Sequence, residues 1–301
     1  MKKILFISLI FLLTSCTKYQ EINNLAITTA ISIEHNNKYI LTLQIIEGNK
    51  ENIINYKEEG SSITKAYNKI VKKSPKQIYT NQTNIIILDE ELIKNKLKET
   101  LYYLKNNKNI KKETYIFITK EKDILIRAKK LNNIPNQNII DSFNNINNTL
   151  SITKLVTLDN IIKKYKNKYI TIPSILLNDK NEIELSTTAI VNNKYINYLT
   201  EDESITYNFL TNNIKKTTIP IKDNNNNYIV EFNNIKTYKK NNNIYITGTS
   251  TILETNTSIK DKEKEINNYL EKYIKNNYKH IKQKYNLKLI NKNTKININI
   301  K

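Results

Sequence analysis

The sequence predicts an α+β protein, a mixed α/β chain of two or three small domains, each a β-sheet packed with helices, ending in a long C-terminal helix and an edge strand. Three observations carry this. Short β-branched runs alternate with apolar stripes of helical period through the first half of the chain. A stripe that includes Ile266, Leu270, Ile274 and Ile281 keeps a 3.6-residue period for several turns. The last residues place Ile296, Ile298 and Ile300 at strand period. With 301 residues, 39% of them hydrophobic, the chain can bury more than one core.

Residues 25–33 and 39–46 are rich in β-branched and aliphatic side chains around His35-Asn36-Asn37, which predicts a β-hairpin. In its second strand Tyr39, Leu41, Leu43 and Ile45 share one face. A helix is expected from Ser61 or Ser62, with Ile63, Ala66, Tyr67, Ile70 and Val71 as its stripe and Pro75 as its stop. The run 84–88 reads as a buried strand. A second helix follows from Asp89, its early acids suiting the positive end of the helix dipole and its core side formed by Ile93, Leu97, Leu101 and Leu104. Residues 115–119 are a further strand and 121–130 a short third helix. The polar, Asn-rich stretch 131–149 reads as a connection.

Residues 155–165 are helical in pattern, and 185–191 with 195–199 resemble a second hairpin turning at Asn192-Asn193. The main division is expected near 174–185, giving an N-terminal α/β region over 16–180, with a split at 131–149 as the alternative, and a C-terminal domain over 181–301. In the latter, 228–232 and 244–253 are strands and 258–285 is the long helix. The apolar and tyrosine stripe of that helix is expected to cover a sheet, with partner binding as the alternative. The final strand carries lysines that blunt an edge.

The first residues form a separate unit. Met1-Lys2-Lys3, a ten-residue apolar run from Ile4 to Leu13 and the small pair Thr14-Ser15 have the layout of a secretory leader. The apolar run is too short to span a bilayer, which takes about 20 residues. Cys16 follows at once and is the one cysteine of the chain. A thiol there can carry a thioether-linked diacylglycerol, and cleavage between Ser15 and Cys16 would free an amine for N-acylation. Residues 1–15 are thus read as a lipoprotein signal peptide that is removed, and Cys16 as the lipid attachment site. An uncleaved anchor with an incidental cysteine is the competing reading.

Composition then excludes several classes. Without Cys16 no thiol remains for a disulfide, a cysteine metal site or a nucleophile, and His35 and His280 are the only histidines. No catalytic residues, no metal ligands and no cofactor beyond the covalent lipid are expected. Three glycines leave no room for a phosphate-cradling loop. The formal charge is +20, and Lys2 and Lys3 would leave with the leader. Nearly all of it is lysine, Arg127 being the only arginine, which argues against nucleic acid as a partner. Two readings of the lysines remain: a solvated face, or attraction to anionic lipid headgroups. The acidic clusters Glu201-Asp202-Glu203 and Glu58-Glu59 are read as solvated loop residues rather than a hydrolase pair.

Four blocks in register resemble a known family. The stretch from Cys16 through Glu21-Ile22 and Leu25-Ala26 to Glu34 resembles the start of the mature Ger(x)C lipoproteins, the C subunits of spore germinant receptors, which run Cys-Trp-Asp-x-x-Glu-Ile, then Leu-Ala and a strand ending in an acid. Ser74-Pro75, leading into Ile85-Ile86-Ile87-Leu88-Asp89-Glu90-Glu91, resembles the family's Ser-Pro block and the elements after it. Thr188 to Ser204 resembles the opening of its C-terminal domain, and the helix ending Gln283-Lys284-Tyr285 its last helix. Thr17 stands where the family has tryptophan and Thr187 where it has glycine.

The resemblance implies a receptor component that is not an enzyme, lipid-anchored on the outer face of the spore's inner membrane beside membrane-embedded A and B subunits. Nutrient binding is attributed mainly to B, and the C subunit would support the signal that starts germination. A solute-binding lipoprotein of an ABC transporter is the alternative. It needs two similar lobes around a cleft, and the chain has neither an internal repeat nor a convergent polar site. A cell-wall hydrolase using Glu201 or Glu203 is the third reading.

Overall fold

The computed structural model describes residues 24–47, 53–129, 135–167, 169–192, 195–223, 226–255, 262–290 and 294–301. The expected leader over 1–15, Cys16 and the expected start of the long helix at 258–261 lie outside the described residues.

The first hairpin forms as expected, with β1 (Leu25–Asn36) and β2 (Lys38–Glu47) pairing around Asn37, whose φ is 59°. Tyr39, Leu41, Leu43 and Ile45 are all buried on one face. A third strand, β3 (Ile53–Gly60), adds to β2 and was not anticipated, because Lys57, Glu58 and Glu59 give it the composition of a loop. Helix α1 (Ile63–Lys73) starts at Ser62, whose hydroxyl accepts the Lys65 N–H, and buries Ile63, Ala66 and Ile70. Val71, placed on the same stripe by spacing, is 44% exposed because the buried arc is narrower than the pattern. Gly60 joins β3 to this helix: a Cβ there would lie 2.5 Å from the Ala66 nitrogen and 2.7 Å from the Ser62 oxygen.

After the short β4 (Gln77–Tyr79), the run β5 (Ile85–Asp89) is buried throughout. Ile86 and Leu88 face one side of the sheet, Ile85 and Ile87 the other, and both sides are covered, which is why this strand reads as continuous apolar sequence. Helix α2 (Glu90–Asn106) buries Ile93, Leu97, Leu101 and Leu104 as expected. β6 (Tyr115–Thr119) follows. The expected third helix shrinks to a single turn, α3 (Ile124–Arg127), because Asp123 takes a left-handed conformation at its start. The stretch 131–149, read as a connection, instead holds helix α4 (Pro135–Thr149). Its Ile140 and Phe143 are buried, and the Phe143 ring lies 4.9 Å from that of Phe117. So few apolar residues among so many asparagines hid the stripe.

The helix expected at 155–165 is α5 (Leu158–Lys164). β7 (Ile170–Leu177), β8 (Ile183–Val191) and β9 (Ile196–Tyr198) complete the sheet, the last two forming the second hairpin. Among the described residues nine strands form this sheet, in the order β3-β2-β1-β5-β6-β7-β8-β9 with β4 beside the start of β1. The strands β1, β5, β6 and β7 run parallel. α1, α2 and α5 cover one face, and α3 and α4 the other. The sheet continues through position 180, since β7 and β8 pair antiparallel across it.

Helix α6 (Glu201–Leu210) leads to a second sheet of β10 (Thr217–Asp223), β11 (Asn226–Lys240), β12 (Asn243–Thr255) and β13 (Ile296–Ile300). Between β11 and β12 the turn is Asn241-Asn242, both at positive φ, the primed two-residue turn that matches strand twist. Asn181, Asn212, Asn234 and Asn286 also adopt positive φ. In a chain with three glycines, asparagine takes the left-handed positions.

The long helix α7 (Lys262–Tyr285) buries Ile266, Leu270, Ile274 and Tyr278 against this sheet, so its stripe is core. It also carries the chain over to β13, which lies parallel to β12 at the sheet's edge. There Ile296 and Ile300 face inward while Asn297 and Asn299 are exposed.

Candidate functional site

Ser15 and Cys16, the residues with an expected chemical role, lie outside the described residues. The acidic cluster at 201–203 is described, and it is not a solvated loop. It forms the first turn of α6, where Thr200 and Glu203 make a reciprocal cap: the Thr200 hydroxyl accepts the Glu203 N–H (3.2 Å) and the Glu203 carboxylate accepts the Thr200 N–H (2.9 Å). The Thr-x-x-Glu spacing is the capping-box signature and was the available signal. Glu203 is buried, and its carboxylate also accepts the Tyr285 hydroxyl at 2.9 Å. Asp202 accepts the Tyr273 hydroxyl at 2.9 Å. Glu58 is ion-paired with Lys73. These acids are committed to helix ends and to neighbours, rather than facing one another across a cleft as a hydrolase pair would.

Asp202 and Glu203, with the tyrosines they accept from, build a joint between the two sheets. Every residue of α6 from Glu203 to Leu210 is buried. On one side Tyr285 also donates to the Tyr198 carbonyl (3.2 Å), and the Tyr198 hydroxyl donates to Glu90 at the start of α2 (3.2 Å). The Lys120 ammonium sits 4.2 Å from the centre of the Tyr198 ring, a cation–π distance. Burial and the neighbouring Glu90 push the Tyr198 phenol far up, and burial pushes Tyr207 up to about 12, so both stay protonated donors at neutral pH. Ile190, Leu199, Tyr207, Ile281 and Tyr285 pack beneath as an apolar plug.

On the other side of α6 the segment 150–154 is stitched in by polar contacts. Asn208 donates to the Ser151 carbonyl (2.6 Å), the Thr217 hydroxyl to the Leu150 carbonyl (2.8 Å) and Thr188 to the Thr153 hydroxyl (2.7 Å). A cavity of about 300 Å³ lies against this seam, lined by Thr153, Lys154, Ile172, Thr188, Tyr207 and Asn208 among others. The Lys154 ammonium in it is already held by Asn213 (2.9 Å). The polar lining is threonine and tyrosine hydroxyls, the amides of Asn160, Asn208 and Asn213, and the lysines Lys154 and Lys164.

A second polar group sits where the parallel strands end. Glu34, near the end of β1, is 2% exposed and accepts the Asp123 N–H at 2.9 Å. Asp89 caps α2 by accepting the Leu92 N–H (2.9 Å), accepts the His35 N–H (3.0 Å) and pairs with Lys122. Asp123 pairs with Lys57 at 2.7 Å. Burial, with the charges of Asp123 and Asp89 beside it, raises the Glu34 carboxyl above the ordinary range, against the pull of the Asp123 N–H and Lys122. Among the described residues no group of three or more His, Cys, Asp or Glu is arranged to hold a metal. Nor is any described helix long and apolar enough to cross a membrane.

Two family models match successive parts of this chain. Residues 18–177 match the spore germination protein N-terminal domain, and residues 186–297 match the family described as spore germination B3/GerAC like, C-terminal. The chain belongs to the GerAC-like spore germination family. Among curated GerAC-like proteins, spore germination protein KC of Bacillus subtilis (strain 168) is 25% identical over 265 residues, an alignment that takes in 72% of this chain and 63% of that protein. The chain thus spans under two thirds of that relative's length. The solved crystal structure of the GerBC protein superposes with a TM-score of 0.55 at 16% identity, covering 90% of this chain and 95% of the other, so the fold is GerBC-like.

The GerAC-like family is not known to be catalytic. Its two models part between 177 and 186, at the β7–β8 turn, while the buried helix α6 and the end of α7 hold the sheets together. The sequence blocks that carry the resemblance coincide with structural turning points: Ser74-Pro75 ends α1, Thr188–Ser204 holds β9 and the α6 cap, and Gln283–Tyr285 ends α7 at the joint.

Proposed function

We propose that this chain is the lipid-anchored, non-catalytic C subunit of a nutrient germinant receptor, acting in spore germination through contacts with membrane A and B subunits. Family membership is the observation that carries this reading, together with the leader and Cys16 at the head of the sequence. Removal of residues 1–15 would leave Cys16 as an S-diacylglycerol cysteine, N-acylated on its free amine, and two or more acyl chains give stable membrane attachment. The protein would then stand on the outer surface of the spore's inner membrane. Its roles would be docking and signal support. The described acids and phenols favour this, because they are spent on capping and on joining the sheets, as a rigid contact scaffold needs. We further propose 16–180 and 181–301 as the two regions of that scaffold, with β8 and β9 of the second region completing the sheet of the first.

The deciding experiment is Cys16→Ala in the native host. The expected result is loss of the protein from the spore membrane fraction and failure of nutrient germination. Normal germination with the protein still in the membrane would overturn both the anchor and its role.

A further inference from the structure

The parallel strands give the N-terminal region two unlike edges, and the lysines are placed differently on each. At the edge where these strands end, Lys57, Lys122 and Lys94 are matched with Asp123, Asp89 and Glu90, Lys120 lies over the Tyr198 ring, and Lys38 alone at the β1–β2 turn has no ion-pair partner among the described residues. The opposite edge is where β1 begins, where α1 and α2 end, and where α5 meets the start of β6 through the Leu158 N–H to Thr114 carbonyl bond. It carries Lys76, Lys105, Lys108, Lys111, Lys112 and Lys166, none with an ion-pair partner among the described residues. Lys105, in the last turn of α2, suits the helix dipole and needs no other account. Lys108, Lys111, Lys112 and Lys166 lie outside the helices and have no such reason.

Between α2 and α5, on the same side, runs an open apolar groove of about 590 Å³. Leu101, Tyr102, Ile162 and Tyr165 line it, and Lys98, Lys105 and Lys166 rim it together with one carboxylate, Glu99. Tyr102 is 72% exposed, an unusual place for a large ring with no protein partner over it. The acidic residues nearby are few: Glu99 already accepts the Tyr39 hydroxyl (2.8 Å), Asp159 is tied to Lys163 (2.5 Å), and Glu47 and Glu113 stand at the edge itself. Tyrosine beside snorkelling lysines is the composition of a membrane interface.

Chain length points to the same edge. Leu25 pairs with Gln77, next to Lys76, and Cys16 lies nine residues before Leu25. Fully extended, those links reach about 30 Å at most, so an anchored Cys16 keeps this edge, rather than the opposite one, nearest the bilayer.

We propose that this edge is the membrane-facing surface of the protein, its lysines lying on anionic phospholipid headgroups and the α2–α5 groove seating one such lipid. The orientation rests on the anchor reading above, while the lipid-binding surface does not. The test therefore removes the anchor. The mature chain carrying Cys16→Ser is mixed with phosphatidylglycerol-containing vesicles and with pure phosphatidylcholine vesicles, and sedimented. Binding is expected only to the anionic vesicles. Lys108→Glu with Lys112→Glu should weaken it about 25-fold or more, since each lysine near the surface contributes on the order of a fivefold factor, and Tyr102→Ala should weaken it independently. Lys236→Glu with Lys240→Glu, exposed lysines of β11 in the second sheet, should weaken it much less. Equal binding to both vesicle types, or equal losses from the two lysine pairs, would overturn the surface. Either result is separate from the outcome of Cys16→Ala in spores.

Discussion

The Tyr285 hydroxyl donates to the buried Glu203 carboxylate across 82 residues of sequence, at 2.9 Å, and so fastens the end of the longest described helix to the cap of the helix that joins the two sheets. One carboxylate thereby ends α6 and receives α7. Buried carboxylates persist where hydrogen bonds replace the lost water, and here one comes from each side of the joint.

Tyr285→Phe keeps the ring in the apolar plug and removes only the hydroxyl. It leaves Glu203 with its cap bond alone and the Tyr198 carbonyl without its tyrosine donor. The expected loss is about 2 kcal/mol, read as a lower midpoint in chemical denaturation. An unchanged midpoint would mean that the joint does not depend on this bond.

Asp89 serves the end of β5 and the start of α2 at once, accepting from Leu92, Glu91 and His35 N–H groups. Asp89→Ala exposes these donors and leaves Lys122 unmatched, with an expected cost of about 2–4 kcal/mol. Asp89→Asn, which keeps a capping oxygen, should recover part of it. Urea melts of the two variants side by side distinguish cap from charge.

Glu34 predicts a pH dependence. Its carboxyl is raised above the ordinary 4.5 chiefly by burial, so its contribution to stability is complete below that value and is lost as pH rises through the folded-state value. At neutral pH the ionised group is therefore a liability. Glu34→Gln keeps an oxygen for the Asp123 N–H and should be more stable than the parent at pH 7, the difference closing as pH falls toward 4. Thermal melts across that range check it, and a difference that widened on acidification would contradict it.

Gly60 has no space for a side chain, because a Cβ would meet backbone of the α1 first turn at 2.5 and 2.7 Å. Gly60→Ala must therefore displace the β3–α1 connection. A melting temperature lowered by several degrees, corresponding to at least about 1–2 kcal/mol, is expected in calorimetry. Gly248→Ala, where the nearest contact is the tip of the Ile235 side chain but the Asn233 oxygen lies at 2.8 Å, should cost less.

Legibility followed pattern density. The β1–β2 hairpin, α1, α2, β6, α7 and β13 were readable because their apolar residues recur at one clear period over two or more turns or pleats. β3 was missed because its second half is Lys57-Glu58-Glu59, with Lys57 and Glu59 on the exposed face, and α4 because asparagine dilutes its stripe to residues such as Ile140 and Phe143. α6 was missed because it is buried on all sides and so has no stripe at all. Its acids looked like loop residues, although Thr200 and Glu203 carried the cap in plain view.

By itself the sequence determined the mixed α/β class and the germination-family resemblance, and it carries the expectation of a leader ending at Cys16, all of which depend on residue identity or on local period. The tertiary structure alone decided which distant residues meet. Glu203 and Tyr285, Tyr198 and Glu90, and the unmatched lysines gathered where β1 begins are neighbours through strand order and helix packing. Such contacts depend on where the chain returns, and spacing along the sequence carries no record of that.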